Sequence, residues 1–283
     1  MLGRLLQFSI QWWIRLTGRR VSLSEYPWLE GPISDHAIVG DEFYRTFAES
    51  KGLEIRVAED GGLLQEFGVL LKDQDFHSQQ LNPRVAQFYE HTAQYKLEVW
   101  SQWFSFISFF SKILIRTVSR RMEQMNIPLE PLETSHGMSS EVIQLCQDDK
   151  VKYTCWLRKS VKTGRIVYAG FYTHCRVDPE LPDFVKVVFP LPKGNVTVIL
   201  KAEVQQDGSM KLLSDGKKIG ESGYYRLQRA GDKQLRVKFI PLKEVIHVYE
   251  DDYGVMRTDH SFRFWGIKFL ELHYKIMDPG PNK

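Results

Sequence analysis

Cysteine is scarce in this chain. Three thiols, Cys146, Cys155 and Cys175, in 283 residues form an odd and sparse set. That argues against a disulfide framework and for a reducing compartment. A chain of this length buries most of its apolar surface without covalent staples, so the thiols read as small buried hydrophobes. Also missing is any apolar run of the roughly 20 residues needed to cross a bilayer. Acid is absent from the first 20 residues, which hold Arg4, Arg15, Arg19 and Arg20. That charged start does not make a secretory signal, because Gln7, Gln11 and Arg15 interrupt the apolar residues and no small-residue cleavage site follows. Glycine stands third rather than second, so myristoylation is not indicated.

Motifs that fix a chemistry are lacking too. Eight histidines are present, but none forms an H-E-x-x-H pair or the Cys/His spacing of a zinc site. Gly220-Glu221-Ser222-Gly223 lacks the spacing of a G-x-S-x-G nucleophile elbow. There is no P-loop and no dinucleotide glycine motif, so neither a metal nor a cofactor is expected. A net charge of +3 without a recognisable module gives no reason to expect nucleic-acid binding.

What is present is an uneven distribution of charge and aromatics. Residues 21–100 hold 14 acids against 6 Lys and Arg, whereas a second basic cluster follows at Lys112, Arg116, Arg120 and Arg121. Both basic clusters border aromatic stretches. Over residues 2–18, Arg4, Gln7, Gln11, Arg15 and Gly18 share one helical side, and Leu2, Leu5, Leu6, Trp12, Trp13 and Leu16 share the other. Trp beside Arg suits the headgroup level of a bilayer. Packing on the protein's own body, or on a partner, explains such a face as well. From Leu97 to Val118, Ser101, Ser105, Ser108 and Lys112 line up against Trp100, Trp103, Phe106, Ile107, Phe110 and Leu114. This predicts a second helix, lying either in the core or at an interface, and ending near Asn126 ahead of Pro128 and Pro131. Asn82 as N-cap and Pro83 at the first helical position predict a shorter helix. Glu42 to Ser50 reads as helical and Leu63 to Leu71 as a strand.

From about residue 140 the period becomes two. Ten strands are predicted, at 152–159, 165–175, 184–189, 195–205, 210–213, 223–228, 234–240, 243–250, 255–264 and 268–277, separated by turn residues such as Asp207-Gly208 and Asp252-Tyr253-Gly254. The fold class is therefore α+β, with N-terminal amphipathic helices and then a large, mostly antiparallel curved sheet or barrel. It divides into an interfacial helix at 1–20, a mixed, mainly helical region at 21–130 and a β-rich domain at 131–283. In the last hairpin a three-residue loop, Trp265-Gly266-Ile267, puts Phe262 and Phe264 with Leu270 and Leu272, and sets Asp259 opposite His273. A carboxylate can orient a histidine base, and a solvated face carries such cross-strand pairs too. His136, in Ser135-His136-Gly137, either borders a pocket or sits in a turn. Phe189-Pro190-Leu191-Pro192-Lys193-Gly194 reads as a rigid loop.

Leu81-Asn82-Pro83-x-Val85, an apolar helix ending in Arg120-Arg121, Ile127-Pro128-Leu129 and Trp156-x-Arg158 follow in that order. The series resembles bacterial domains of unknown function with a membrane-proximal helix and a β-rich remainder, over about two thirds of the chain. The resemblance implies no activity and no catalytic residues.

Three functions stand open. The first is a cytoplasmic protein, peripheral to the inner face of the membrane, that binds a lipid or other apolar small molecule. There Trp12, Trp13, Trp100, Trp103, Phe106 and Phe110 touch bilayer or ligand, and Arg4, Arg15, Arg116, Arg120 and Arg121 meet an anionic membrane surface. The second is an enzyme on a lipidic substrate, with Asp259, His273 and His136 as catalytic candidates. The third is an interaction module docking on a membrane-protein partner.

Overall fold

The computed structural model describes residues 2–71, 80–129, 133 and 136–278. Ser135 lies outside the described residues, as do the side chains of Leu2 and Arg4. The helices in chain order are α1 Leu2–Thr17, α2 Phe43–Lys51, α3 Pro83–Glu90 and α4 Ile107–Leu114. The Asn82 side chain caps α3 as expected, accepting from the Arg84 N–H at 2.9 Å. Gly52 ends α2 at φ 63°, a left-handed cap that glycine adopts without steric penalty. α4 runs on through a wider π turn, Ile115–Ser119, into a last turn, Arg120–Met122.

Among the described residues fourteen strands form the sheet. They are β1 Arg19–Ser22, β2 Glu54–Val57, β3 Lys96–Trp103, β4 Met138–Gln147, β5 Lys150–Ser160, β6 Ile166–Cys175 and β7 Phe184–Leu191. The remainder are β8 Gly194–Val204, β9 Met210–Leu213, β10 Gly223–Gly231, β11 Gln234–Ile240, β12 Leu242–Glu250, β13 Met256–Phe264 and β14 Ile267–Met277. The ten expected strands correspond to β5 through β14.

The differences have physical causes. The aromatic stretch expected as one helix from Leu97 is a strand followed by a helix. Leu97, Val99 and Ser101 are buried while Lys96, Glu98, Trp100 and Gln102 face outward, a period of two. That segment closes one edge of the sheet by pairing with β14, Trp100 against His273 and Ser101 against Leu272. The stretch 63–71, expected as a strand, holds a short 3-10 helix, Phe67–Leu71. Phe189 to Gly194 is less a loop than a hairpin. β7 runs through Pro190 to Leu191, and Pro190 pairs with Asn195. A side chain at Gly194 would meet the Leu227 carbonyl oxygen at 2.0 Å, so glycine is required where β8 passes β10.

The sheet is open, not a barrel. Its path runs β2-β4-β5-β6-β7-β8-β9-β12-β13-β14-β3, with all its ladders antiparallel. It forks at β8, whose first half pairs with β10 and whose second half pairs with β9. Beyond the fork, β10 pairs with β11, and β11 with β1. The largest core cluster takes Trp156, Val185 and Val187 from one arm, Leu212, Val248 and Leu272 from the other, and Val85 and Phe88 from α3. The two arms thus face each other across this core, with α3 packed against it.

Candidate functional site

The space between the arms is incompletely filled. An inner cavity of about 140 Å³ is walled by Phe88, Trp156, Val187, Leu200 and Leu272 together with the tyrosines Tyr89, Tyr168, Tyr172, Tyr224 and Tyr274. An outer cavity of about 310 Å³ lies between the sheet and two helices. α1 contributes Gln7, Ile10 and Gln11, and α4 with its π turn contributes Ser111, Leu114, Ile115 and Val118. Met125, Ile127, Tyr224 and Phe262 line both, so the two adjoin. An apolar void of roughly 150 Å³ stays dry and admits benzene, and small-molecule sites run from roughly 300 Å³ upward. Together the two cavities form an adjoining, mostly apolar space.

Within this apolar lining sits one polar cluster. Glu244 on β12 is buried. It accepts from the Tyr224 hydroxyl at 2.7 Å and meets His260 Nε2 on β13 in a very short contact. Burial, with Glu244 adding to it, holds the Tyr224 phenol well above the usual tyrosine range. Burial likewise pushes Tyr168 up to about 12, and raises Tyr172 and Tyr274. These phenols stay protonated at neutral pH and serve as donors. Arg158 lies fully buried with its guanidinium 5.2 Å from the Trp156 ring centroid. Arg226 lines the outer cavity and donates to the carbonyl oxygens of Asn195, at 2.9 Å, and of Leu227. Burial lowers its pKa to about 10.

The helices that wall the outer cavity have two unlike faces. On α1, Leu6, Gln7, Ile10, Gln11 and Ile14 turn inward, with Ile14 completely buried. Phe8, Trp12 and Leu16 turn outward and are 67%, 56% and 61% exposed. At α4, Phe106, Phe109 and Phe110 are all more than half exposed. The β13–β14 turn adds Trp265, held at φ 48° and exposed. Trp265 and Trp13 border one surface depression together with Lys217, Lys238 and Lys243, and the Lys238 ammonium lies over the Trp13 ring at 5.4 Å. Both turn residues, Trp265 and Gly266, take positive φ, as a tight two-residue hairpin requires.

The chain is similar to a membrane protein. It is 28% identical over 245 residues to the "Uncharacterized membrane protein YndJ" of Bacillus subtilis (strain 168). The match takes in 84% of this chain and 41% of the relative, so the chain spans about two fifths of that protein's length. No protein-family model matches the chain, and no solved structure matches it. The bacterial, membrane-linked character of the expected resemblance therefore has a named counterpart in this distant Bacillus relative. No helix among the described residues is long and apolar enough to cross a membrane.

The remaining expected residues are placed as follows. Trp100 is exposed on the outer side of β3, whereas Trp103 turns inward, lines the outer cavity and donates from Nε1 to the Pro128 carbonyl at 3.1 Å. Arg15, Arg116 and Arg120 are exposed, and Arg121 is half-buried. Arg4 is part of α1, and its side chain is outside the described atoms. His136 stands in the exposed turn before β4. Asp259 and His273 are paired across β13 and β14, with Nδ1 2.6 Å from Oδ1. The turn between these strands has two residues, Trp265-Gly266, and an offset after Phe262 restores the expected register. This pair lines neither cavity; its side chains are 38% and 41% exposed, and Tyr249 donates to Asp259 at 3.1 Å. Among the described residues no three His, Cys, Asp or Glu side chains are grouped to hold a metal ion.

Glu244, His260, Tyr224 and Arg226 were not singled out in the sequence, and Arg158 was read only as part of the Trp156-x-Arg158 motif, not as a site residue. The signal was available for His260. The alternation that turns Asp259 outward turns His260 to the face of Phe262, toward the core.

Proposed function

We propose that this protein docks on an anionic membrane surface and binds a lipid or another apolar molecule in the adjoining cavities. The observation that carries this reading is the double use of α1 and α4. Their inner faces wall the outer cavity, and their outer faces present exposed aromatics. Inserting one such ring at a bilayer interface is worth about 1.5–3 kcal/mol. Each Lys or Arg near an anionic surface adds about 1 kcal/mol. Arg15 on α1 and Lys217, Lys238 and Lys243 around Trp13 and Trp265 supply that charge. A π turn in the wall of the outer cavity fits the same reading, since such turns recur at functional sites. Three free thiols support a docking surface on the cytoplasmic, reducing side of the membrane.

Co-sedimentation with vesicles tests the proposal. The protein pellets with phosphatidylglycerol-containing vesicles at low salt and stays in the supernatant with phosphatidylcholine alone. Charge reversal of Arg15, Lys217 and Lys243 together reduces pelleting by at least about tenfold, as expected for losing on the order of 1 kcal/mol per site. Equal recovery with and without vesicles overturns the reading. A second reading is favoured by the relative's greater length and its name as a membrane protein: docking on an integral membrane partner. It predicts no binding to bare vesicles but fractionation with membranes from cells.

A further inference from the structure

Four charged side chains are buried among the described residues: Arg158, Lys186, Arg226 and Glu244. Three are cations and one is an anion. Glu244 is occupied by Tyr224 and His260. Lys186 donates to the Glu30 carbonyl, and Arg226 donates to two carbonyls. Arg158 differs, because Nε, Nη1 and Nη2 are all buried and none makes a well-formed hydrogen bond; only a weak interaction with the neutral Tyr168 phenol reaches the guanidinium. The Ser140 hydroxyl on the adjacent strand accepts instead from Trp156 Nε1, at 2.7 Å. An isolated buried guanidinium is costly, and proteins retain such a group when something pairs with it. Arg158 does not itself line the inner cavity, but its neighbours do. It stacks on Trp156, which lines the inner cavity. It also pairs in register with Tyr168, and its charge acts on the phenols of Tyr168 and Tyr274, both lining residues.

We propose that the ligand is an amphiphile with an anionic head, carboxylate or phosphate, and that Arg158 receives that head. This rests on the apolar-ligand reading and narrows it. The guanidinium fork matches two oxygens of either group. The protonated phenols of Tyr168, Tyr172 and Tyr274 supply further donors at the inner end. The hydrocarbon tail follows the shared wall of Met125, Ile127 and Phe262 into the outer cavity. An ammonium head is repelled by Arg158, and a plain hydrocarbon leaves it unpaired.

The test is calorimetric titration of the full chain with dodecanoate, dodecyl phosphate and dodecanol, each below its micelle concentration. Both anions bind on the order of tenfold or more tighter than the alcohol, the effect of one charge-assisted hydrogen-bond pair. Whichever anion binds tighter identifies the head as carboxylate or phosphate. In Arg158→Met that advantage disappears while dodecanol binding is retained. Thermal melting adds an independent readout. Without ligand, Arg158→Met melts above the wild type because an unpaired buried charge is gone, and dodecanoate raises the melting point of the wild type only. If wild-type protein binds dodecanol as tightly as dodecanoate, the head assignment is overturned and the apolar-ligand reading stands. If none of the three binds, both are overturned. An anion preference that survives in Arg158→Met, or a ligand-free Arg158→Met that melts below the wild type, overturns the role given to Arg158.

Discussion

Strand β13 sets two acid–histidine pairs back to back. Asp259 points outward and bonds His273 on β14, while its neighbour His260 points inward and bonds Glu244 on β12. Chemically the pairs are alike; only the face of the sheet differs. The outer pair keeps 38% and 41% of its side-chain surface, the inner 7% and 14%. Water solvates whatever the outer pair leaves unsatisfied. Inside, a lost partner leaves a polar group bare, so burial rather than pair chemistry sets what each contact is worth.

The largest effect tests that directly. Glu244→Ala removes the acceptor of both Tyr224 and His260 at once. It destabilises the protein by on the order of 3 kcal/mol. Glu244→Gln, which keeps an acceptor oxygen, costs less than half of that. Urea unfolding of the three proteins measures both, and a loss below about 1 kcal/mol for Glu244→Ala would break the contrast between the faces.

Lys186 extends the comparison to a buried charge without a counter-ion. Burial lowers its pKa from 10.5 to about 8. Below about pH 8 the folded and unfolded chains both carry the proton, and the full cost of burying it persists. Between about 8 and 10.5 the folded chain has released a proton that the unfolded chain keeps, so stability rises with pH. Relative to Lys186→Met, the wild type therefore gains about 2–3 kcal/mol between pH 7 and pH 10. A stability difference that does not change with pH would show that Lys186 is not paying a burial cost.

The same distinction explains how much could be read in advance. β5 to β14 were legible because each carries its own alternation and is bounded by turn residues, signals that need no partner. Asp259 and His273 were legible because one hairpin register fixes both. β3 was not, because Ser101, Ser105, Ser108 and Lys112 mimic a helical stripe across the junction where the strand ends and α4 begins. The cavity cluster was not legible either. It draws Tyr168, Tyr224, Glu244 and His260 from four strands, and the fork at β8, which no local pattern announces, brings the arms together. The aromatic, outward side of α1 was readable from its period. That the Gln7 and Gln11 side faces a cavity instead of water was not, since a polar stripe looks the same against either.

The smallest expected effect belongs to the outer pair. A double-mutant cycle on Asp259→Asn and His273→Gln isolates its coupling from the Tyr249 contact and from local packing. Exposed pairs of this kind couple by less than about 1 kcal/mol, and the coupling falls further in high salt. Urea unfolding of the four proteins at low and high salt supplies the cycle. A coupling above about 2 kcal/mol that salt does not reduce would mean that the outer face is covered in solution. The two pairs would then differ in what covers them, not in whether they are covered. A small, salt-sensitive value leaves the inner pair as the one whose environment sets its worth.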